Sequence, residues 1–201
     1  MRRLVVITHL TLDGVMQAPG GPDEDRRNGF PHGGWAMAHG DAVSREAMEK
    51  LMAADFDLLL GRRTYEIFAP YWPHHDDNFI GRAFNRATKH VATRTLTHFE
   101  WAKSRRLGDD VVAAVRELKA SAGPTLHVWG SGELLQTLMA AHLVDEYQLW
   151  IRPIILGQGR RLFENGLPAT GLTLVESRPT TTGVLLNTYR PTSPFNRSAR
   201  P

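Results

Sequence analysis

The sequence predicts an α/β protein in which a mostly parallel central sheet is closed by antiparallel C-terminal strands and carries helices on both faces. Two observations support this fold class. Apolar, β-rich runs alternate with amphipathic helical patterns from Val5 to Leu138, which is typical of parallel strands joined by helices. The last third contains three strand-like runs with few helical residues between them, and this pattern favours antiparallel pairing.

The elements of the first half follow from apolar periodicity and from the residues that interrupt it. A strand is predicted from Val5 to Leu10, and it leads into a Gly/Pro/Asp-rich loop from Asp13 to Gly40. A loop of that length in a compact protein is usually functional or mobile. The elements predicted next are a helix with apolar positions 43, 47, 48, 51 and 52, a strand from Phe56 to Leu60, a short helix from Arg62 that ends before Pro70 or Pro73, a helix with apolar positions 80, 83, 84 and 87, and a strand around Val91.

The second half begins with a helix for which Asp109 or Asp110 is the predicted N-cap and Gly123 the stop. A strand, a turn and a helix then recur from Val128 to Leu138. The three late strands are predicted at Tyr147 to Leu156, Leu172 to Ser177 and Val184 to Arg190. Residues 191–201 are rich in Pro, Ser and Arg, so we expect a disordered tail after a single domain over residues 1–190.

Composition limits the classes of function. The chain has 201 residues, of which 42% are hydrophobic, and this supports one substantial core. The absence of cysteine excludes disulfides, thiolate nucleophiles and thiolate metal ligands. The formal charge of +3 comes without the Lys/Arg blocks and interleaved aromatics of nucleic-acid binders. No apolar run approaches bilayer length and no cleavable leader is evident, so we expect a cytoplasmic protein that binds neither nucleic acid nor membranes.

A first anion-binding pattern lies where the predicted strand over 56–60 enters a helix. Gly61 lets a ligand approach the backbone, and Thr64 provides a hydroxyl. Arg62 and Arg63 provide cations suited to phosphate. A helix start also has N–H groups without intrahelical partners and the positive end of the macrodipole. The alternative is an ordinary strand-to-helix turn with solvated arginines.

Two further strand ends favour anions. Thr93 and Arg94 follow the strand around Val91, and hydroxyls beside an arginine suit a phosphate monoester. A second strand–turn–helix junction with small residues consists of Trp129, Gly130, Ser131, Gly132, Glu133 and Leu134. One Gly-Ser-Gly is also a common connector. Three such strand ends together indicate a dinucleotide, because it needs separate contacts for its pyrophosphate and its ribose phosphate.

Short motifs distributed over the chain resemble the dihydrofolate reductase-like superfamily. They are Leu12-Asp13-Gly14, the segments Gly61 to Glu66 and Trp129 to Gly132, Thr93-Arg94, Leu143-Val144-Asp145-Glu146, and the segment Pro153 to Phe163. The last two are the most specific, and they are similar to the C-terminal reductase domain of the riboflavin-biosynthesis deaminase/reductase. The resemblance covers about residues 3–190. It implies a three-layer dihydrofolate reductase-like fold that binds NADPH.

The resemblance also implies roles for the residues above. The segments 61–64 and 129–134 would hold the pyrophosphate of NADPH, and Thr93 with Arg94 would hold the adenosine 2′-phosphate. Asp13 would lie near the nicotinamide and would orient or protonate a small-molecule substrate. Trp35 and Tyr65 would contact that substrate. The alternatives are an Asp-Gly turn at a strand end, a tryptophan that packs the loop onto the body, and a core tyrosine.

Departures from the relatives limit the substrate. Folate-reducing members carry an acidic residue on the helix before the Gly-Arg-x-Thr segment, and Glu46 reaches that place only with a one-residue register shift. A chain without cysteine also lacks the zinc ligands of the deaminase half. We therefore expect an NADPH-dependent reductase of a small heterocyclic (pteridine or aminopyrimidine-like) or carbonyl substrate. The alternative is an NADP-binding sensor or assembly protein of the same fold without turnover.

Three smaller expectations complete the sequence reading. His32, His39, His74 and His75 lack the spacing of metal ligands, so no metal site is expected. The peptide between Trp129 and Gly130 is predicted to be strained or cis, because relatives with Gly-Gly at this turn use a cis bond. A homodimer is predicted through the late strands, because the run Tyr147 to Ile151 offers more apolar surface than a sheet facing water should.

Overall fold

An eight-stranded sheet forms the centre of the protein, whose computed structural model describes residues 1–164 and 166–194. The strands are β1 (Leu4–Thr11), β2 (Phe56–Gly61), β3 (Lys89–Ala92), β4 (Ser104–Arg106), β5 (Thr125–Trp129), β6 (Glu146–Arg152), β7 (Thr170–Pro179) and β8 (Leu185–Pro194). Their order across the sheet is β4-β3-β2-β5-β1-β6-β8-β7.

The strands are parallel where strand and helix patterns alternate in the sequence, and antiparallel in the β-rich last third. All pairings among β1 to β6 are parallel, whereas β8 pairs antiparallel with both β6 and β7. The parallel strands are joined largely by helices, as parallel connections require, and the antiparallel strands follow each other directly. The predicted fold class is confirmed.

Helices cover both faces of the sheet. They are α1 (Ala42–Ala53), α2 (Arg62–Phe68), α3 (Phe79–Arg86), α4 (Val111–Ala120) and α5 (Gly132–Ala140). Strand β1 shows why both faces are needed: Val6 and Leu10 belong to the core under α4 and α5, while Val5 and Ile7 belong to the core under α1, α2 and α3. Successive side chains of a strand point to opposite faces, so an almost continuously apolar strand must be covered twice.

Three details differ from the sequence prediction. Strand β4 was not predicted, because its residues Ser-Arg-Arg carry no apolar signal. Helix α4 is capped by Asp110 as expected but ends at Ala120, before Gly123. Strand β8 continues to Pro194, beyond the domain end expected at residue 190. The predicted tail from 195 to 201 lies outside the described residues.

The late strands bury the apolar surface from which a dimer was predicted. Tyr147 and Leu149 lie in the core beneath α4 and α5, and Trp150 packs against Ala47 and Met48 of α1. In the late strands, the exposed apolar side chains are Leu172, Leu174 and Val175 on the edge strand β7 and Leu185 on β8. Helices of the same chain therefore cover the run that motivated the dimer. In the part of the chain that the structure describes, no helix is long and apolar enough to cross a membrane.

Candidate functional site

A cavity of about 960 Å³ opens at the carboxyl ends of the parallel strands β1, β2, β3 and β5. Ligands of open α/β sheets bind in such crevices. All the residues predicted to bind a cofactor line it: Gly61, Arg62, Arg63, Thr64, Thr93, Arg94, Trp129, Gly130, Ser131, Gly132, Glu133 and Leu134. The topology explains this convergence, because β2 pairs with both β3 and β5, so their carboxyl ends meet at one edge of the sheet.

Helices α2 and α5 begin at the cavity without side-chain caps. The other described α-helices are capped, because the side chains of Asp41, Asn78 and Asp110 accept backbone N–H groups at the starts of α1, α3 and α4. In α5 the N–H of Leu135 donates to the carbonyl of Ser131 at 2.9 Å, and the N–H groups before it lie in the first turn. Uncapped helix starts keep such donors available to an anion.

Ser131 joins the two uncapped turns. Its backbone N–H donates to Thr64 Oγ1 at 2.9 Å, and its Oγ accepts from the backbone N–H of Gly61 at 3.0 Å. The side chain that would cap α5 is thus used by the turn after β2. This arrangement holds Ser131 in the left-handed region at φ 56° and ψ 39°, which costs a non-glycine residue about 1–2 kcal/mol. A Cβ at Gly130 would lie 3.0 Å from Thr64 Oγ1, so only glycine fits this approach closely.

The cis peptide predicted between Trp129 and Gly130 is wrong. No peptide bond among the described residues is cis. The turn reverses through positive φ angles at Gly130 (54°) and Ser131 (56°) instead. The strained backbone conformation of this turn is therefore that of Ser131, the residue after the peptide for which strain was predicted.

Charged side chains of both signs surround the start of α5. Three arginines lie near Glu133 Oε1, with Arg160 Nη1 at 3.2 Å, Arg27 Nη1 at 3.9 Å and Arg63 Nε at 4.0 Å. Each of these partly exposed pairs contributes little stability on its own. Arg27 also pairs with Asp25, and Arg160 also pairs with Glu164. Among the described residues, Arg63 is therefore the one arginine of the three whose ion pairs are limited to Glu133.

The end of β3 presents a hydroxyl and a cation. Thr93 Oγ1 accepts from the backbone N–H groups of Thr95 at 3.2 Å and Leu96 at 3.0 Å, which leaves its own proton to donate. Arg94 is exposed and forms no ion pair with any described residue. The donors of this half of the cavity fit a phosphorylated dinucleotide: helix-start N–H groups for a pyrophosphate, and Thr93 with Arg94 for a phosphate monoester.

Asp13 is not brought to the cavity. Its carboxylate accepts hydrogen bonds from Thr11 Oγ1 at 2.6 Å and from the backbone N–H groups of Leu156 at 3.2 Å and Gly157 at 2.9 Å. Arg161 Nη2 lies 3.6 Å away. Burial raises the pKa of Asp13, but these hydrogen bonds outweigh it and lower the pKa below its ordinary value. Such contacts favour the ionised form, so Asp13 fastens the first turn to the segment after β6 and is poorly suited to donate a proton.

The two residues predicted to touch substrate also lie outside the cavity lining. Trp35 is buried and donates from Nε1 to the carbonyl of Gln17 at 2.7 Å, in a small core with Val15 and Phe30. The Tyr65 hydroxyl accepts from the backbone N–H of Trp101 at 3.2 Å within the core under α1 and α3. Both geometries match the packing alternatives considered from the sequence.

Glu46, the alternative proton donor, is exposed and bonds Arg178 Nη2 of β7 at 3.0 Å, away from the cavity. The His and Asp residues near 74–77 form no metal site: within residues 1–164 and 166–194, no group of His, Cys, Asp or Glu could hold a metal ion. The residues predicted to contact the substrate or donate a proton therefore lie outside the cavity lining.

Aromatic side chains form an aromatic wall of the cavity, which consists of Phe68, Tyr71, Trp72, Phe84 and Trp129. The rings of Trp72 and Phe84 are 5.0 Å apart, and those of Phe84 and Trp129 are 5.5 Å apart. The buried Nε1 atoms of Trp72 and Trp129 have no hydrogen-bond partner. This end of the cavity suits a planar apolar ring that also carries hydrogen-bond acceptors.

Glu24 and His9 are ionisable residues of the cavity lining that were not predicted from the sequence. Glu24 lies in the long loop and accepts from the backbone N–H groups of Gly20 at 2.5 Å and Gly21 at 3.2 Å, yet burial raises its pKa. His9 lies near the end of β1, and its Nδ1 is 2.6 Å from Arg152 Nη1 of β6. Burial and the charge of Arg152 lower the pKa of His9 to about 3. One sequence signal could have indicated His9: side chains alternate along a strand, so His9 shares a face of β1 with Ile7. No sequence signal indicated Glu24.

Solved structures share this fold. A putative riboflavin biosynthesis protein from Shewanella sp. PV-4 superimposes with a TM-score of 0.69 at 19% identity, over 94% of this chain and 99% of that chain. The diaminohydroxyphosphoribosylaminopyrimidine deaminase/5-amino-6-(5-phosphoribosylamino)uracil reductase of Thermotoga maritima gives a TM-score of 0.64 at 14% identity, over 95% of this chain and 57% of that chain. At such identities the likeness concerns the fold alone.

Two relatives from Bacillus subtilis (strain 168) match in sequence. YyaP is 23% identical over 192 residues, which cover 94% of each chain, and YwjB is 26% identical over 123 residues, which cover 58% of this chain and 63% of YwjB. Both are described as uncharacterized. The family model of the RibD C-terminal domain matches residues 2–186, close to the extent of the resemblance predicted from the motifs. The chain thus belongs to the RibD C-terminal domain family.

Proposed function

We propose that this protein is a reductase that uses NADPH to transfer hydride to a small heterocyclic or carbonyl substrate. The family and the fold of its structural neighbours support a reductase-like role. The finer assignments, namely the cofactor, the hydride transfer and the substrate class, rest on the cavity.

One observation supports the cofactor most directly: two uncapped helix starts meet through the Thr64–Ser131 hydrogen bond at the edge of the sheet. A pyrophosphate at this point would accept hydrogen bonds from the N–H groups of the first turn of α5 and a charge-assisted bond from Arg63, which lines the cavity. The site would need neither a metal nor a carboxylate to hold it.

The choice of NADPH over NADH rests on the end of β3. Arg94 is an exposed cation without an ion pair among the described residues, next to the buried hydroxyl of Thr93. A guanidinium and a hydroxyl are the donors that recognise a phosphate monoester. In the bound state these two side chains would hold the adenosine 2′-phosphate.

The remaining residues would place the substrate and supply a proton. NADPH supplies the hydride when bound, and the aromatic wall of Trp72, Phe84 and Trp129 would hold a planar substrate beside the nicotinamide. Glu24 lines the same cavity and burial raises its pKa, so it is the carboxyl to which we assign the proton donation. A pteridine, an aminopyrimidine or another conjugated carbonyl compound has the shape and the acceptors that this end suits.

Titration of the intrinsic fluorescence of NADPH tests the cofactor assignment. We expect saturable binding that NADP⁺ displaces, weakened in Arg63→Ala and unchanged in Arg116→Ala, because Arg116 is an exposed arginine of α4 that does not line the cavity. Deuterium transfer from 4-deuterated NADPH to pteridines, aminopyrimidines and conjugated ketones then tests turnover. The absence of saturable NADPH binding would overturn the proposal.

The second candidate is an NADP-binding sensor or assembly protein without turnover. The placement of Asp13 outside the cavity favours it, because the donor predicted from the sequence is missing there. The same experiments separate the two candidates. Saturable NADPH binding with no deuterium transfer to any substrate of the panel would support the sensor.

A further inference from the structure

Half-buried His9, which lines the cavity, forms a pair with buried Arg152. The register of β1 and β6 sets His9 opposite Trp150, two residues before Arg152. Arg152 is 5% exposed, and its Nη1 lies 2.6 Å from His9 Nδ1. A guanidinium only donates, so Nδ1 must be the acceptor. The imidazole is therefore the tautomer that carries its proton on Nε2.

The positive charge of this pair resides on the arginine. Burial, with the charge of Arg152, lowers the pKa of His9 to about 3, whereas burial lowers the pKa of Arg152 only to about 10. At neutral pH the imidazole is thus neutral and the guanidinium is charged. The other contacts of Arg152 are the carbonyl of Trp150 at 3.1 Å and the indole ring of the same residue at 5.9 Å. No described carboxylate pairs with this buried cation.

The Nε2–H group of His9 is left for a ligand. His9 lines the cavity, and its Nε2 has no hydrogen-bond partner in the described residues. Two further donors of the same wall, the indole N–H groups of Trp72 and Trp129, are also without partners. A neutral imidazole with a cation bound to its other nitrogen is a strengthened donor. It favours an oxygen that gains negative charge, because the fixed charge behind it does not need to reorganise.

We propose that His9, held in its tautomer by Arg152, donates a hydrogen bond to a carbonyl oxygen of the substrate and stabilises the negative charge that develops there. The inference rests on the proposed reductase function and names its substrate class, an uncharged compound with a carbonyl group at or conjugated to the carbon that is reduced. His9 touches the substrate in this assignment. Arg152 is a positioning residue, because it acts through the imidazole.

The electron balance of the step is simple. Hydride forms a new C–H bond at the electrophilic carbon, and the π-electron pair of the carbonyl, or of the conjugated system that ends in it, moves onto the oxygen. His9 keeps its proton and only shares it with that oxygen. One proton from solvent, directly or through Glu24, then neutralises the product, so that NADPH, substrate and one proton give NADP⁺ and the reduced compound.

Nitrogen-15 NMR of the imidazole side chains tests the tautomer in the wild-type chain. We expect the His9 signals, assigned by their loss in His9→Gln, to show a neutral ring protonated on Nε2 throughout about pH 5–8, where an ordinary histidine would titrate. Arg152→Lys should alter these signals, and the exposed Arg116→Ala should not. A ring protonated on Nδ1, or one that becomes charged near pH 6.5, would overturn the assignment.

Binding of 4-nitrophenol tests the donor without substrate or cofactor, because its phenolate resembles the oxyanion and absorbs visible light. At a pH below the pKa of the free phenol, titration with wild-type protein should generate the phenolate band. His9→Phe keeps a planar ring but removes the donor, and phenolate binding should weaken at least tenfold. A band that persists in His9→Phe and disappears in Arg63→Ala would place the anion among the cofactor arginines and refute the inference.

The two proposals fail in different ways. If NADPH does not bind while phenolate binding depends on His9, the reductase function fails and the donor site stands as a site for an acidic enol or phenol. If NADPH binds and deuterium is transferred while His9→Phe leaves phenolate binding and turnover unchanged, the reductase function stands and the role of His9 is refuted.

Discussion

The backbone N–H of Ser131 donates a hydrogen bond to Oγ1 of Thr64, a residue 67 positions earlier, at 2.9 Å. This contact ties the start of α5 to the first turn of α2, so the two helix starts of the proposed pyrophosphate site keep a fixed position relative to each other. It also satisfies a buried N–H group in a turn where no regular partner exists.

Removal of this hydroxyl should affect both folding and cofactor binding. In Thr64→Val the N–H of Ser131 loses its acceptor, and we expect the free energy of unfolding to fall by about 1–3 kcal/mol. NADPH should bind more weakly, because the turn that presents the N–H groups of α5 is no longer held. Urea unfolding and fluorescence titration measure the two effects. Thr64→Ser, which keeps the oxygen, serves as the control, and equal losses in both variants would contradict the prediction.

Arg94 should determine the preference for NADPH over NADH. A charge-assisted hydrogen bond to the 2′-phosphate contributes about 1.5–3 kcal/mol, which is roughly one to two decades of affinity. Arg94→Ala should lose that preference through weaker NADPH binding, while NADH affinity stays nearly constant. The exposed Arg116→Ala controls for a general loss of positive charge. Equal affinities of the wild type for both cofactors would remove Arg94 from the site.

His127 should make stability depend on pH in the acid range. It is buried, its ring stacks on Phe56 at 4.3 Å, and burial lowers its pKa to about 4. The unfolded chain binds a proton near pH 6.5 and the folded chain only near pH 4, so stability is full above pH 6.5 and falls between these values. The lowered pKa of His127 corresponds to at most about 3.4 kcal/mol in the free energy of unfolding.

The variant His127→Phe keeps the stacking and removes the titration. Urea unfolding between pH 4 and pH 6.5 should therefore show a smaller loss of stability than in the wild type, with the remainder due to groups such as His9. The exposed His98→Phe should follow the wild-type curve. An unchanged slope in His127→Phe would show that this ring is not the group that titrates.

Self-association is still a prediction, but we now expect it to use a different surface. The run from Tyr147 to Ile151 is packed within the chain, whereas the edge strand β7 exposes Leu172 (40%), Leu174 (52%) and Val175 (47%). An exposed apolar edge strand offers unpaired backbone groups to a second copy. We expect a dimer by light scattering that Leu174→Lys dissociates and Leu12→Lys, at an exposed leucine outside β7, does not. A mass of one chain across dilution would exclude the dimer.

The convergence of the three predicted strand ends on one cavity was predictable from the sequence because its signals are local. Each junction consists of a strand, a small-residue turn and a helix start within about ten residues, and the parallel sheet brings the strand ends together. The surroundings of Asp13 and His9 were not predictable in this way. The partners that place Asp13 and His9 are Leu156 and Arg152, each 143 positions away, and no local pattern indicates them.

In the fold too, elements with a local sequence signal were predicted and elements that depend on distant partners were not. Strands β1, β2 and β5 carry near-continuous apolar runs and were recognised, whereas β4 consists of a serine and two arginines and owes its existence to pairing with β3. Trp35 and Tyr65 carry the residue types that bind planar ligands, but burial in the core uses the same types. Residue type alone does not separate these two uses; the position relative to the cavity does.

Glu24 and Asp13 should respond differently to loss of their charge. Glu24 lines the cavity with a pKa raised by burial, and Asp13 lies outside it with a pKa lowered by hydrogen bonds that outweigh its burial. General acid catalysis contributes about 10²–10⁴-fold, so Glu24→Gln should lower turnover at least a hundredfold with NADPH affinity unchanged. Asp13→Asn should instead lower the free energy of unfolding by about 1.5–3 kcal/mol, because an amide cannot replace both acceptor oxygens.

Steady-state kinetics with the compound that the enzyme reduces, together with urea unfolding of both variants, separate these roles. The pH profile adds a readout that a structural defect would not produce, because activity that depends on protonated Glu24 should fall as pH rises, and Glu24→Gln should lose this dependence. Glu46→Gln is the matched control, since Glu46 is exposed and bonds Arg178 outside the cavity. If Glu24→Gln keeps full turnover while a stable Asp13→Asn loses a hundredfold, the proton donor is Asp13 and not Glu24. That outcome would also require the turn after β1 to move toward the cavity when ligands bind.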